Sequence, residues 1–161
     1  MFRLYYSLVY PYLYYGNIIW GATYESNLKR LKILQKRVIR IITKSSYDVN
    51  TAPLFFEHRL LDIDRIHTLQ LGLFMYSVNN SISSKAICDM FHKNSEVHSY
   101  PTRQCNAYRP QKCRTNIRKF TIISQGPKLW NSLPDDIKSK TTTNSFKINL
   151  KKYLLINASK Q

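Results

Sequence analysis

The chain has 161 residues, 43% of them hydrophobic, and carries 25 Lys and Arg against nine Asp and Glu, a formal charge of +16. That length suits one domain or two small lobes, and 12 Tyr, 7 Phe and 2 Trp exclude a disordered polyelectrolyte. The charge favours a polyanionic partner, nucleic acid before an anionic membrane or an acidic protein.

Helical periodicity dominates the first half. The segment 2–20 is apolar and aromatic, but Arg3, Ser7, Pro11, Gly16 and Asn17 interrupt it. A membrane span wants about 20 predominantly apolar residues. The segment is therefore expected as buried helical turns broken near Pro11, with membrane association as the alternative. Further helices are predicted over 24–44, 51–58, 62–80 and 84–92. Asp62 can cap the third of these, Asn79-Asn80-Ser81 ends it, and Ile63, Ile66, Leu69, Leu73 and Tyr76 form its apolar face. Antiparallel packing through short links makes 1–93 a helical bundle.

From 94 the composition turns to Asn, Ser, Thr, Arg, Gln and Pro, so 94–124 reads as a basic linker. Within it Thr115, Ile117, Phe120, Ile122 and Ile123 predict a short strand or hairpin arm over 114–123. The stretch 125–161 is a C-terminal helical segment. Gly126-Pro127 is expected to open a short helix, Pro134 to stop it, and Leu129, Trp130 and Leu133 to share one face. Asp135 and Asp136 then fall at the start of another helix, close to its positive dipole end. A last helix over 145–155 presents Phe146, Leu150, Tyr153 and Leu154, with candidate caps in Thr141-Thr142-Thr143-Asn144. The fold class is mainly α: a helical bundle followed by a small basic C-terminal lobe with a short hairpin and two helices.

The 24–44 helix is the first candidate site. Lys29, Lys32, Lys36 and Arg40 fall in one stripe, flanked by Arg37 and Lys44, with Leu28, Leu31, Leu34, Val38, Ile41 and Ile42 largely opposite. No acid occurs between Glu25 and Asp48, so the stripe is expected to lack local partners and to run along phosphates. A second acid-free stretch, from Val97 to Pro134, holds Arg103, Arg109, Lys112, Arg114, Arg118, Lys119 and Lys128. Tyr100, Tyr108 and Phe120 are interleaved, which suits RNA whose bases can stack.

His92, His98, Cys105 and Cys113 are separated by five, six and seven intervening residues. Zinc ligands come in closer pairs, so no metal and no cofactor is expected. Cys88, Cys105 and Cys113 form no even disulfide framework and no leader pattern is seen. An intracellular location, nucleus or cytoplasm rather than secretion, follows. Catalytic residues are expected to be absent: the acids are scattered, Asp135-Asp136 is the one adjacent pair, and no glycine-rich phosphate loop is present. No small-molecule substrate is expected.

Several blocks carry a family resemblance. Gly126-Pro127, Trp130-Asn131 and Leu133-Pro134, followed by Phe146 and Leu150, resemble the C-terminal end of reverse transcriptases from non-LTR, LINE-type, jockey-like retrotransposons. The run from Leu4 to Gly16, then Ile19-Trp20-Gly21 and the run from Leu34 to Ile42, resembles the segment just after the polymerase palm. Thr51-Ala52-Pro53-Leu54 and Tyr100-Pro101-Thr102-Arg103 also fit, and the blocks follow the family order over nearly the whole chain. The resemblance implies the thumb and tail of an RNA-directed DNA polymerase whose catalytic palm would lie before Met1. It implies a thumb that grips an RNA or RNA/DNA duplex and a tail that engages element RNA or target DNA. Trp20, Gly126, Pro127, Trp130 and Pro134 are then structural. The alternative is a protein-interaction module or relic that packs on a missing palm.

Overall fold

The computed structural model describes residues 2–97 and 103–158. The chain is mainly helical, and an isolated bridge between Lys93 and Tyr108 is the β pairing among the described residues. The described residues divide into two compact units: those up to Leu69 together with those from Lys151 onward, and Gln70–Leu150.

In the first unit the Tyr-rich segment forms α1 (Phe2–Leu4), a π-helical turn (Tyr5–Val9), α2 (Tyr10–Tyr14) and α3 (Asn17–Trp20). The expected break at Pro11 is not there. Pro11 has no N–H, and in an α-helix its ring would meet the carbonyl of Ser7. The preceding turn widens instead, with the Tyr10 N–H donating to the Tyr5 carbonyl. The chain breaks at Gly16, whose φ of 62° is left-handed and suits a residue without a Cβ. Trp20 closes this corner, its indole N–H donating to the Tyr15 carbonyl at 2.8 Å. Tyr6, Tyr10 and Tyr14 recur every four residues, so their rings form a ladder with centroids 5.4 Å apart.

Next come α4 (Glu25–Thr43), α5 (Thr51–Glu57) and α6 (Ile63–Asn79). Asn50 caps α5, its side-chain oxygen accepting from the Ala52 N–H. Asp62 caps α6 as expected, accepting from the Arg65 N–H at 2.8 Å. α4, α5 and α6 end at Lys44, Arg59 and Ser81, each at a positive φ of 53–54° without being glycine. Each is followed by an N–H that reaches back past the last turn: Ser45 to Arg40, Leu60 to Phe55 and Ile82 to Ser77. The core of this unit is Tyr5, Ile39, Phe55 and Leu60, with Phe2, Val9, Tyr10, Val38, Ile42 and Leu54 packed on it. Gln35 lies buried at its edge. Its amide nitrogen donates to the Tyr5 hydroxyl and the Leu61 carbonyl, and its oxygen accepts from the Ile63 N–H. The polar side chain thus joins three segments with its bonds satisfied.

In the second unit, α7 (Lys85–Cys88), α8 (Asn94–Val97) and α9 (Asn116–Lys119) are short, and residues 103–115 are irregular. Residues 114–123 do not form the expected strand or hairpin. A lone strand leaves its backbone groups without a neighbour, whereas a helix satisfies its own. Thr115 caps α9 by accepting from the Arg118 N–H, and α10 (Ile122–Ser132) starts at once. Gly126-Pro127 therefore sits inside α10 rather than opening it. A Cβ on the residue before proline would crowd the proline ring in helical geometry, and Gly126 has none. A Cβ there would also lie 2.6 Å from Met75 Sδ, so α10 packs directly on that side chain. Pro134 stops α10 after an extended Leu133, and α11 (Asp135–Lys138) begins with both aspartates in its first turn. α12 (Thr143–Ala158) ends the described chain. Tyr76, Phe146 and Trp130 stack in sequence, with centroids 4.5 and 5.9 Å apart, and all three are buried. Among the described residues no helix is long and apolar enough to cross a membrane.

Candidate nucleic-acid interface

At 100° per residue, Leu28, Gln35 and Ile39 place the buried line of α4, and they are its buried residues. Lys32 falls close to that line rather than opposite it, and the acid-free expectation fails there. Its ammonium lies 2.7 Å from Glu25 Oε2 and 2.6 Å from Asp64 Oδ2, the second carboxylate supplied by α6. Burial pulls the Lys32 pKa down, but the hydrogen bonds it donates to Asp64 and Glu25 outweigh this and leave the pKa above its ordinary value. Arg40 is also engaged: its Nε donates to the Val49 carbonyl at 3.0 Å, and its guanidinium lies over the Tyr47 ring at 5.6 Å.

The exposed cations of α4 are Lys29, Lys36 and Arg37, joined by Arg30, which the stripe left out, and by Lys44 at its left-handed C-cap. They fall in two rows with a seven-residue step, Lys29 with Lys36, and Arg30 with Arg37 and Lys44. Seven residues rise about 10 Å and turn the helix through nearly two full turns, so each row stays on one side. The repeat of Arg30, Arg37 and Lys44 is visible in the sequence. Ile33, Leu34 and Ile41, expected in part as core, are exposed between and beside these rows. Glu25, the one acid of α4, is taken by Lys32.

In the second unit Arg103, Arg109, Lys112, Arg114, Arg118 and Lys119 are all exposed. Arg109, Lys112 and Arg118 line one cleft; Arg103, Arg114 and Lys119 are not among its lining residues. Lys119 instead donates to Asn116 Oδ1 at 3.1 Å. Tyr108 is not a stacking platform. It is 3% exposed, its ring meets Phe91 edge-on, its hydroxyl donates to Asn79, and the Lys93 ammonium lies 5.5 Å from the ring centroid. Burial, then the neighbouring Cys88 and Glu96 groups, push its pKa up to about 12. Phe120 is half-buried. Tyr100, Pro101, Thr102 and His98 lie outside the described residues.

Cys88, Cys105 and Cys113 are free thiols, and among the described residues no three His, Cys, Asp or Glu side chains gather as a metal site. The structural set takes shape around Trp130, which is buried on Phe146, and Pro127, which is buried beside it in α10. Asn131, one residue on, has a role that no local pattern marks. Its amide oxygen accepts from the Tyr108 N–H at 3.0 Å and its amide nitrogen donates to the Tyr108 carbonyl at 2.7 Å. No family model matches the chain, and no curated protein and no solved structure matches it.

Proposed function

We propose that this chain is a non-catalytic, nucleic-acid-binding, thumb-like helical region with a basic tail, of the kind found at the C-terminal end of LINE-type reverse transcriptases. α4 binds RNA or an RNA/DNA duplex through phosphates. The observation that carries the reading is the pair of exposed cation rows on α4, which no carboxylate of that helix neutralises. Flexible Lys and Arg at regular spacing suit a phosphate backbone, because such contacts give affinity and register without reading bases. Binding should fall steeply with salt and vary little with sequence. Fluorescence anisotropy on two unrelated duplexes, one RNA and one RNA/DNA, tests this across a salt series. Salt-independent binding, or none, removes the reading. Primer extension by the purified chain with Mg²⁺ or Mn²⁺ would remove its non-catalytic part.

A second reading is favoured by the outer face of the Tyr-rich segment. Leu8, Tyr12, Tyr15 and Ile19 are 63%, 80%, 85% and 76% exposed. Apolar surface of this kind suits a protein partner such as a reverse-transcriptase palm. Salt-insensitive self-association, abolished by Tyr12→Lys with Ile19→Lys, would favour that reading over the first.

A further inference from the structure

We propose that the cleft lined by Arg109, Lys112 and Arg118 takes one unpaired base and its phosphate from a single-stranded nucleic acid. This rests on the nucleic-acid reading above but assigns the second unit a different class of strand from the duplex given to α4. The cleft encloses about 510 Å³, inside the roughly 300–1,000 Å³ typical of pockets that bury a small ligand. Its lining sets the apolar side chains of Met90, Phe91 and Ile123, a partly apolar wall that also includes His92 and Gln111, beside a rim of these three cations.

Among the described residues no carboxylate lines the cleft, and none of its three basic side chains has an acidic partner. Glu96, the acid of α8, is turned to His92 Nδ1 at 3.3 Å. Arg118 is oriented, because its guanidinium donates to Gln111 Oε1 at 3.1 Å. Arg109 is positioned through its backbone, whose N–H donates to the His92 carbonyl at 2.9 Å. Met90 is 51% exposed, so a polarizable thioether faces solvent beside these cations.

An apolar wall beside unpaired cations fits a ligand with a flat apolar body and an attached anion. An unpaired nucleotide is such a ligand, and its base can stack on an apolar side chain or on a guanidinium plane. A duplex cannot use the wall, because its base faces are stacked inside and only base edges, sugars and phosphates reach the surface. An acidic peptide would meet the rim but leave the apolar surface uncovered.

The test uses the full chain and four probes: octauridylate, an abasic strand of equal length and charge, a 16-base-pair RNA duplex, and octaglutamate. Octauridylate should bind about ten-fold or more tightly than the abasic strand, the worth of one stacked base. Met90→Asp places a charge on an already exposed position, so the fold should hold by circular dichroism. It should weaken octauridylate about ten-fold or more and leave the duplex unchanged. Arg118→Gln should weaken octauridylate and the abasic strand alike. Equal affinity for base-bearing and abasic strands overturns the proposal, as does competition by octaglutamate at equal charge or an unchanged Met90→Asp variant. Duplex binding without octauridylate binding sinks the cleft and spares the role of α4. Octauridylate binding without duplex binding does the reverse, and binding of neither removes both.

Discussion

Asn131 holds the backbone of Tyr108 at both its N–H and its carbonyl, across 23 residues of chain. The side-chain amide acts here as a short piece of β-ladder, satisfying two groups of an irregular segment that has few regular partners. Trp130 and Asn131 thus divide the work of α10: one fills the core, the other pins the loop that carries Arg109. Asn131→Ala should cost about 1–3 kcal/mol, two hydrogen bonds at roughly 0.5–1.5 each. Protease nicking within 103–112 should accelerate more than elsewhere. An unchanged melting temperature with an unchanged cleavage map would show that the pairing contributes nothing.

Trp130→Ala should destabilise the second unit by about 3–5 kcal/mol, the range for a large aromatic lost from a core. The loss follows from its burial and its stacking on Phe146. Chemical denaturation measures it. A variant with unaltered stability and weaker RNA binding would make Trp130 a contact residue instead.

Lys36→Gln with Arg37→Gln should flatten the logarithmic salt slope of duplex binding by roughly one to two units, at about 0.7–0.9 per phosphate. Both side chains are exposed, so the fold should survive. Lys32→Gln should behave in the opposite way. It leaves Glu25 and Asp64 without their shared cation, so stability should fall by up to about 1 kcal/mol while the slope stays put. A slope that responds to Lys32 and ignores Lys36 and Arg37 would mean the wrong face of α4 has been assigned.

Alkali should loosen the fold in a defined window. Burial, then the neighbouring Tyr14, Tyr6 and Tyr5, push the Tyr10 pKa up to about 12, matching that of Tyr108. In the unfolded chain a tyrosine titrates near 10. Above that pH the unfolded state gives up protons that the folded state keeps. The stabilisation is therefore whole below about pH 10 and is lost as pH rises through about 12. Phenolate absorbance followed beside circular dichroism should show a late titrating group that coincides with unfolding. Complete titration near pH 10 in a still-folded chain would contradict this.

The left-handed helix ends should be improvable. Arg59→Gly and Ser81→Gly remove a Cβ from positions at φ of 53° and 54°. A left-handed residue costs roughly 1–2 kcal/mol, partly offset by the greater unfolded entropy of glycine, so each change should gain about 0.5–1 kcal/mol. Loss of stability in both would mean that the Arg and Ser side chains supply more than their backbone costs.

The sequence by itself determined the features that depend on near neighbours. The helices expected over 24–44, 51–58 and 62–80, which form as Glu25–Thr43, Thr51–Glu57 and Ile63–Asn79, the Asp62 cap and the stop at Pro134 are all set within a few residues, where propensity and hydrogen-bond supply decide. The burial of Trp130, Phe146 and Leu150 followed from the apolar spacing of the short helix ending at Pro134 and of the helix expected over 145–155. The tertiary structure decided what depends on distant partners. Asp64 reaches Lys32 from another helix, so an acid-free stretch of sequence did not make an unpaired face. Tyr108 lies among Phe91, Asn79 and Asn131, so an aromatic between cations became core. Residues 114–123 alternate enough for a strand, but with no neighbouring strand among the described residues to take their backbone bonds they close into helical turns. The cleft beside Met90 belongs to this second class, because its wall and rim come from three separate stretches of chain that only packing brings together.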